Sequence, residues 1–263
     1  MKIALGIEYN GCNYYGWQRQ SISPTIQECI ETALSTIADE SIRIHCAGRT
    51  DTGVHAIQQV IHFETTSIRD THAWVLGTNS ILPKDISVTW ALESDDDFHA
   101  RFSAEQRTYQ YLILNRPARP AIFNGLVSWE SRPLDYAKMK QASSCFIGQH
   151  DFTSYRAVAC QANSPIRTIQ NLEIDRLEDW IVITLTANAF LHHMVRNIAG
   201  VLIAIGLGKK EVNWAAEVLA AKDRTAGGVT AQPDGLYLVN IQYPERFSIP
   251  DAKSILDKFG ICR

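Results

Sequence analysis

The order of the predicted secondary-structure elements restricts the fold of this chain more than any other feature does. In the first hundred residues, alternating and β-branched runs predict strands, and apolar residues at helical spacing predict helices. A capping-box pattern, Thr25-x-x-Glu28, marks the start of the first helix. The predicted strands are 2–9, 42–45, 56–63 and 86–92, and the predicted helices are 26–38 and 69–76. Strand, helix, strand, strand, helix, strand is the order of a ferredoxin-like unit.

The second half of the chain repeats this order with one additional helix. Its predicted strands are 108–115, 170–176, 180–187 and 236–242, and its predicted helices are 134–147, 188–205 and 212–221. The predicted fold class is therefore α+β: two ferredoxin-like halves that form a mixed sheet, with helices on one face and a central active-site cleft. We place the predicted domains at 1–103 and 104–263. The tail, 249–263, is expected to form a short amphipathic helix.

The composition is that of an ordinary soluble protein. Of the 263 residues, 46% are hydrophobic and 20% are charged, and no apolar run reaches the roughly 18 residues that a membrane span needs. The first residues lack the pattern of a signal peptide, so we expect a cytoplasmic location. The six cysteines include no C-x-x-C pair and are expected to be reduced thiols. His192 and His193 are adjacent and make a poor metal pair, so we predict no metal.

The charge distribution says more than the net charge of -3, which by itself argues mildly against a nucleic-acid binder. Residues 101–119 hold four arginines against one glutamate. The same run contains Phe102, Tyr109 and Tyr111, and arginines mixed with aromatic rings suit phosphate contact combined with base stacking.

A glycine-bracketed loop between two predicted strands contains the most conspicuous charged residues. In Gly48-Arg49-Thr50-Asp51-Thr52-Gly53 an extended backbone would place Arg49 and Asp51 on the same side. A neighbouring arginine keeps a carboxylate ionised, which suits a nucleophile or a general base. Alternatively, Asp51 caps backbone amides in a turn. Spacing and charge leave both interpretations open.

The whole string, residues 46–56, resembles the signature loop of the TruA family of tRNA pseudouridine synthases, GRTD-small-GVHA. Residues 99–111 resemble the family stretch HARFSA followed by R-x-Y-x-Y, and residues 190–198 resemble a third family segment. The proline-rich stretch that often precedes the last strand in this family is replaced here by residues 226–233. The resemblance covers nearly the whole chain.

This resemblance implies roles for several residues. Asp51 would be the catalytic carboxylate, and Tyr109 the aromatic residue at the substrate. Arg196 would form an ion pair with Asp51, which would leave Arg49 to hold a phosphate. Arg19 and Arg107 are predicted as further RNA contacts. Without the family, Tyr109 and Tyr111 could equally form a cross-strand aromatic pair, and Arg196 would be a surface charge.

The implied activity is the isomerisation of uridine to pseudouridine at positions 38, 39 and 40 of the tRNA anticodon arm. The family acts as a homodimer, with one tRNA spanning two subunits, and the reaction needs no cofactor or metal. Two other interpretations remain. Asp51-Thr52-Gly53 is also the tripeptide of aspartic proteases, but those need a second aspartate and the sequence has no second copy. A non-catalytic RNA-binding module would use similar halves.

Overall fold

The structure, a computed structural model, describes residues 1–21, 23–158, 160–252 and 255. These residues divide into two compact units. The first comprises Met1–Arg107 and the described residues of Tyr237–Cys262, and the second comprises Thr108–Leu236. The first unit is therefore discontinuous in sequence. The division into domains at 1–103 and 104–263 stays a prediction.

The sheet of the first unit follows the predicted ferredoxin-like order. Strand β1 lies in the middle, antiparallel both to β3 and to β4, and β2 pairs antiparallel with β3. The strands are β1 (Lys2–Tyr9), β2 (His45–Cys46), β3 (His55–Glu64) and β4 (Ile86–Ser94). Every residue of β3 except Glu64 is buried, so this strand belongs to the core of the unit.

A strand from the far end of the sequence completes this sheet. Strand β10 (Leu236–Gln242) runs parallel to β3, with Tyr237 opposite His55 and Leu238 opposite Ala56. The rings of Tyr237 and His55 stack with their centroids 4.6 Å apart. Because β10 pairs at the start of β3, it supports the residues that directly follow the Asp51 loop.

The first helix forms where the apolar spacing predicts it. Helix α1 (Ile26–Ala38) buries residues at helical spacing, among them Ile30 and Leu34. The predicted capping box is wrong, since the Thr25 side chain makes no cap hydrogen bond. The Thr25 side chain is fully buried, and the Glu28 carboxylate lies 3.4 Å from the guanidinium of Arg19, so neither residue makes the reciprocal bonds of a capping box.

The second helical segment extends further than predicted. A π-helical turn, Ala73–Gly77, continues directly into α2 (Thr78–Ile81), and the helix ends at Leu82. The predicted end of this helix at residue 76 is therefore too early. Trp74 is fully buried and packs edge-on against Phe63 of β3, with the ring centroids 5.2 Å apart, which anchors the segment to the sheet.

The second unit also combines a mixed sheet with helices. Its strand order is β5-β9-β8-β7, with β6 parallel to β5, whereas β7, β8 and β9 pair antiparallel. The strands are β5 (Gln106–Asn115), β6 (Ser128–Glu130), β7 (Gly148–Asp151), β8 (Ile166–Leu177) and β9 (Trp180–Ala187). The helices are α3 (Tyr136–Ser143), α4 (Met194–Gly206) and α5 (Trp214–Ala221). The α+β fold class is thus confirmed.

Two further observations concern the predicted elements. Among the described residues, no helix has both the length and the apolar character that a membrane span requires. The helix predicted for 249–263 falls mostly on residues 253–254 and 256–263, which lie outside the described residues.

Candidate active site

The Asp51 loop connects β2 to β3, and one of its own residues, a buried threonine, anchors it to β1. Thr50 is 7% exposed, and its hydroxyl forms a 2.7 Å hydrogen bond with the Tyr9 hydroxyl of β1. Its backbone carbonyl accepts a hydrogen bond from the Trp17 amide at 3.0 Å. Asp51 follows directly and is partly exposed, whereas Arg49 and Thr52 are exposed. The alternation places Thr50 inward and its neighbours toward solvent.

Both ends of the loop are fixed by hydrogen bonds to backbone groups. At its start, the side-chain amide of Gln59 donates to the Gly48 carbonyl and its oxygen accepts from the Gly48 amide. At its end, the Val54 amide donates to the backbone carbonyl of Asp51 at 3.1 Å, and Gly53 has a φ of 76°. Asp51 therefore begins a tight turn that needs glycine at its third position.

The loop of residues 10–20 packs directly under the Asp51 loop. An added Cβ at Gly11 would lie 2.1 Å from the Val54 carbonyl oxygen, and one at Gly16, where φ is +89°, would lie 2.9 Å from the Thr50 carbonyl oxygen. Trp17 is 1% exposed and packs in the core. From this segment the sequence predicted only an RNA contact by Arg19, and no sequence pattern indicated that its glycines permit close backbone approach.

The arginines of the first unit that were predicted to contact RNA differ in how freely they could bind a phosphate. Arg49 is exposed. The guanidinium of Arg19 lies 3.4 Å from Glu28 and 3.2 Å from Glu31, so an RNA phosphate would compete with two carboxylates.

The side chain of Arg107 forms hydrogen bonds with backbone carbonyls. Its guanidinium donates hydrogen bonds to the carbonyls of Ala104 at 2.9 Å, Arg101 at 2.7 Å and Ala47 at 3.2 Å. Ala47 opens the Asp51 loop, so Arg107 connects residues 101–104 to that loop. Its predicted contact with RNA stays a prediction.

In the second unit, Tyr109 lies on β5 with its ring against an aromatic residue. It is 8% exposed, and its ring meets Phe190 edge-on with the centroids 5.0 Å apart. Phe190 belongs to the segment between β9 and α4. Tyr111, two residues along β5, is fully buried and its hydroxyl donates to the Gln232 carbonyl at 2.9 Å. Tyr109 is thus the more accessible of the two tyrosines.

The helix that carries Arg196 starts later than predicted. The sequence predicted a helix over 188–205, but α4 begins at Met194, because His193 has a φ of 62° and the chain turns there. The carbonyl of His192 accepts a hydrogen bond from the Ala157 amide at 2.8 Å. His192 and His193 therefore precede the helix that carries Arg196, whereas the predicted helix over 188–205 would have included them.

Arg196 is held by the loop that departs from the family pattern. Its Nε donates to the Ala231 carbonyl at 2.9 Å, and its own carbonyl accepts from the Ala231 amide at 3.1 Å. The side chain of Arg196 is partly buried. The first bond orients the guanidinium, and the second fixes the backbone of Arg196 to the same residue.

A buried polar network fixes that loop in turn. The Asn197 oxygen accepts hydrogen bonds from the Thr230 hydroxyl at 2.6 Å and from Arg224 at 3.1 Å. An added Cβ at Gly200 would lie 2.0 Å from the Val229 carbonyl oxygen. The loop thus lies directly on helix α4, an arrangement that no pattern in the sequence predicted.

Each unit, taken by itself, presents residue types that suit contact with an aromatic, anionic substrate. The first unit offers a partly exposed carboxylate on a rigid loop, with an exposed arginine two residues away. The second offers a tyrosine with a partner ring and an arginine oriented by backbone groups. Within each unit, the fixed backbone limits the cost of orienting these side chains.

Comparison with known proteins identifies the family. The sequence matches the family described as tRNA pseudouridine synthase over residues 6–103 and 142–244. It is 55% identical over 250 residues to tRNA pseudouridine synthase A of Nitrosococcus oceani, covering 95% of this chain and 96% of that protein. The namesake of Pseudomonas aeruginosa is 54% identical over 251 residues, covering 95% of this chain and 88% of that protein. Because these matches span most of the sequence, this chain belongs to the tRNA pseudouridine synthase family.

Proposed function

We propose that this chain isomerises uridine to pseudouridine in the anticodon arm of tRNA, at positions 38, 39 and 40. The observation that supports this best is the Asp51 loop. Its carboxylate is presented at a turn whose two flanks, Thr50 and Gly53, are fixed by hydrogen bonds and by a positive φ. The family membership supplies the substrate class.

The proposed reaction breaks the C1′–N1 bond of uridine, turns the uracil over and joins C5 to C1′. The C5 proton leaves, and N1 gains a proton. Asp51 is the proposed catalytic carboxylate, acting at C1′, at C6 or on the C2′ proton. The target nucleotide must leave its stack before it can be reached.

Tyr109 is the proposed residue that stacks on the displaced uracil. Its edge-on contact with Phe190 supports this role, since a partner ring restrains the orientation of the tyrosine. The hydroxyl is proposed to assist removal of the C5 proton.

Four arginines complete the proposal. Arg196 is the proposed partner of Asp51 during catalysis, and the ion pair between them stays a prediction. Arg49, which is exposed, is proposed to hold a phosphate, and Arg19 and Arg107 are proposed as weaker RNA contacts. A tRNA substrate implies the cytoplasm, and we propose a homodimer on the strength of the family resemblance.

Release of tritium tests the proposed function. Purified protein is incubated with unmodified tRNA that carries tritium at uridine C5, and the label released to water is counted. One tritium per converted uridine is expected from anticodon-arm positions. If no anticodon-arm substrate releases tritium, the proposed function is wrong. If Arg196 assists Asp51, Arg196→Ala is expected to lower the rate of tritium release.

A further inference from the structure

An exposed aromatic ring lies beside an exposed arginine in the first unit. Phe102 is 76% exposed, the ring of His99 lies 4.3 Å from it between centroids, and the Arg101 guanidinium carbon lies 5.5 Å from its centroid. We refer to these three residues, His99, Arg101 and Phe102, as the Phe102 platform. This exposure leaves a face of the Phe102 ring available for contact with a flat partner.

The turn that presents this ring is rigid. The His99 Nδ1 accepts hydrogen bonds from the backbone amides of Arg101 at 3.1 Å and Phe102 at 3.2 Å. The amide of His99 donates to the Ser103 hydroxyl at 3.0 Å, and the Ser103 amide donates to the His99 carbonyl at 2.9 Å. Because both amides point to Nδ1, that nitrogen is unprotonated and the imidazole is held in one tautomer.

Buried groups hold the platform from behind. Ala100 is fully buried, its amide donates to His62 at 3.1 Å, and its carbonyl accepts from the Tyr243 hydroxyl at 2.6 Å. The ring of Phe102 is therefore exposed on a fixed backbone. A rigid aromatic surface loses little entropy when it binds a flat partner.

The platform is tied to the Asp51 loop through Arg107. The guanidinium of Arg107 bonds the carbonyls of Arg101 and of Ala47, at the base of that loop. Burial raises the pKa of the Cys46 thiol to about 12, while the charges of Arg49 and Arg101 act in the opposite direction. Both guanidinium groups therefore lie close enough to Cys46 to act on the charge of its thiolate.

The charges on this surface suit a nucleotide. Neither Arg49 nor Arg101 forms an ion pair with another residue in the part of the chain that the structure describes. Two unpaired cations beside an exposed aromatic ring match a phosphate and a base, because arginine binds phosphate and every base has a face that stacks. A purely apolar partner would leave both cations unused.

We propose that the Phe102 platform binds an unstacked nucleotide of the tRNA anticodon loop, with its base on the Phe102 ring and its phosphate on Arg101. This inference rests on the proposed function, since it takes tRNA as the substrate. The platform acts in binding, and the chemical step belongs to other residues.

The first experiment measures equilibrium binding of unmodified tRNA to Phe102 variants. Phe102→Ala is expected to raise the Kd about 10-fold, since base stacking on one aromatic side chain is worth that much or more. Phe102→Leu, which keeps apolar volume without a ring, is also expected to weaken binding. Phe102→Trp, which keeps an aromatic ring, is expected to bind tRNA about as well as the unaltered protein. The matched control is Ile68→Ala, which truncates an apolar side chain that is 83% exposed and should leave the Kd unchanged.

The second experiment locates the base. The tRNA is prepared with a single abasic residue at each anticodon-loop position in turn. At one position, removal of the base should weaken binding to the unaltered protein and have little further effect on Phe102→Ala. If every abasic tRNA loses the same factor with both proteins, no base stacks on Phe102 and the proposal is overturned.

The third experiment concerns the phosphate. Arg101→Ala is expected to reduce the slope of log Kd against log salt by about 0.7, the value for one phosphate of a single strand. Arg69→Ala, which removes another exposed arginine, should leave the slope unchanged. Equal slopes for Arg101→Ala and the unaltered protein would remove the phosphate contact from the proposal.

These outcomes are separable from failure of the proposed function. If the unaltered protein releases no tritium but binds tRNA through Phe102, the platform stands and the proposed function fails. If tritium is released and Phe102→Ala binds tRNA as well as the unaltered protein, with an unchanged thermal midpoint, the platform is wrong and the proposed function stands.

Discussion

At the scale of single residues, the position of Asp51 depends on a neighbour that points the opposite way. Thr50 is buried and hydrogen-bonded to Tyr9. The backbone at Thr50 and Asp51 therefore cannot rotate without breaking this buried contact. The sequence predicted the loop and its carboxylate. It could not predict the Tyr9–Thr50 contact, because these residues lie 41 positions apart and neither forms a pattern with the other.

Tyr9→Phe tests this anchor. Loss of the hydroxyl removes one buried hydrogen bond, which should cost about 1 kcal/mol of unfolding free energy. Because Thr50 then holds the loop less firmly, single-turnover tritium release should slow several-fold. Tyr155→Phe removes a comparable bond, from its hydroxyl to the Ala215 carbonyl at 3.1 Å, and should lower stability without slowing release. Equal release rates for Tyr9→Phe and the unaltered protein would contradict the anchoring role.

His62 predicts a pH dependence of stability. Burial lowers the pKa of His62 to about 3, and the charges of His99, His45 and Lys2 act in the same direction. An unfolded histidine titrates near pH 6.5, so between that value and about pH 3 the unfolded chain binds a proton that the folded chain does not. Stability should therefore fall as the pH drops through this window.

His62→Gln should reduce that fall, because glutamine does not titrate. The measurement is the urea midpoint at pH 7 and at pH 5 for both proteins. The difference between the two pH values should be smaller in the variant, and an identical difference would show that His62 is protonated in the folded state as readily as in the unfolded chain.

At the scale of elements, the prediction was best where the period was strong and worst where an irregular turn interrupts it. Helix α1 was predicted at its observed bounds, since its buried positions follow a helical period. Helix α4 was predicted to begin at residue 188, because Leu191, Val195 and Leu202 continue the apolar period across His193. The turn at His193 depends on a hydrogen bond between Ala157 and His192, a contact that local periodicity does not reveal.

Gly200→Ala tests how closely the loop of residues 226–231 lies on α4. Alanine within a helix normally stabilises it relative to glycine by about 1 kcal/mol. Here the new Cβ would lie 2.0 Å from the Val229 carbonyl oxygen, so the loop must shift and we expect destabilisation of about 1–3 kcal/mol. The shift would move Ala231 and its bond to Arg196, which should also reduce tritium release.

Gly206→Ala is the matched control in the same helix. Its new Cβ would lie 2.8 Å from the Met139 sulfur and 2.9 Å from the Met139 Cγ, atoms of a buried but unbranched side chain that adapts more readily than a backbone carbonyl. Stability should fall less than in Gly200→Ala, and release should be unchanged. If the two variants lose equal stability in thermal unfolding, the close approach of the loop is not the cause.

At the scale of the whole molecule, the sequence predicted the α+β class and the order of the elements in the first unit. It missed that β10 joins the first unit, parallel to β3. The pairing residues, Tyr237 and His55, are separated by most of the chain, and parallel pairing over such a distance leaves no local signal. It also missed the short strands β6 and β7, whose polar residues show no alternation.

The family resemblance contributed what spacing and charge could not. Residue chemistry alone left Asp51 as a turn cap or a nucleophile, and the structure shows that the backbone carbonyl of Asp51 closes the turn with the Val54 amide. Sequence patterns likewise gave no reason to distinguish Arg107, which bonds three carbonyls, from Arg101, which is exposed. Only the folded positions separate the two.

The central claim is that Asp51 performs the chemistry on tRNA while the rest of the protein binds it. The most direct measurement compares Asp51→Asn with the unaltered protein for tRNA affinity and for tritium release from uridine C5. Asparagine has nearly the same shape and leaves the Tyr9–Thr50 anchor in place, so the Kd should stay within about 3-fold and no tritium should be released. Release by Asp51→Asn at a rate close to that of the unaltered protein would contradict the claim.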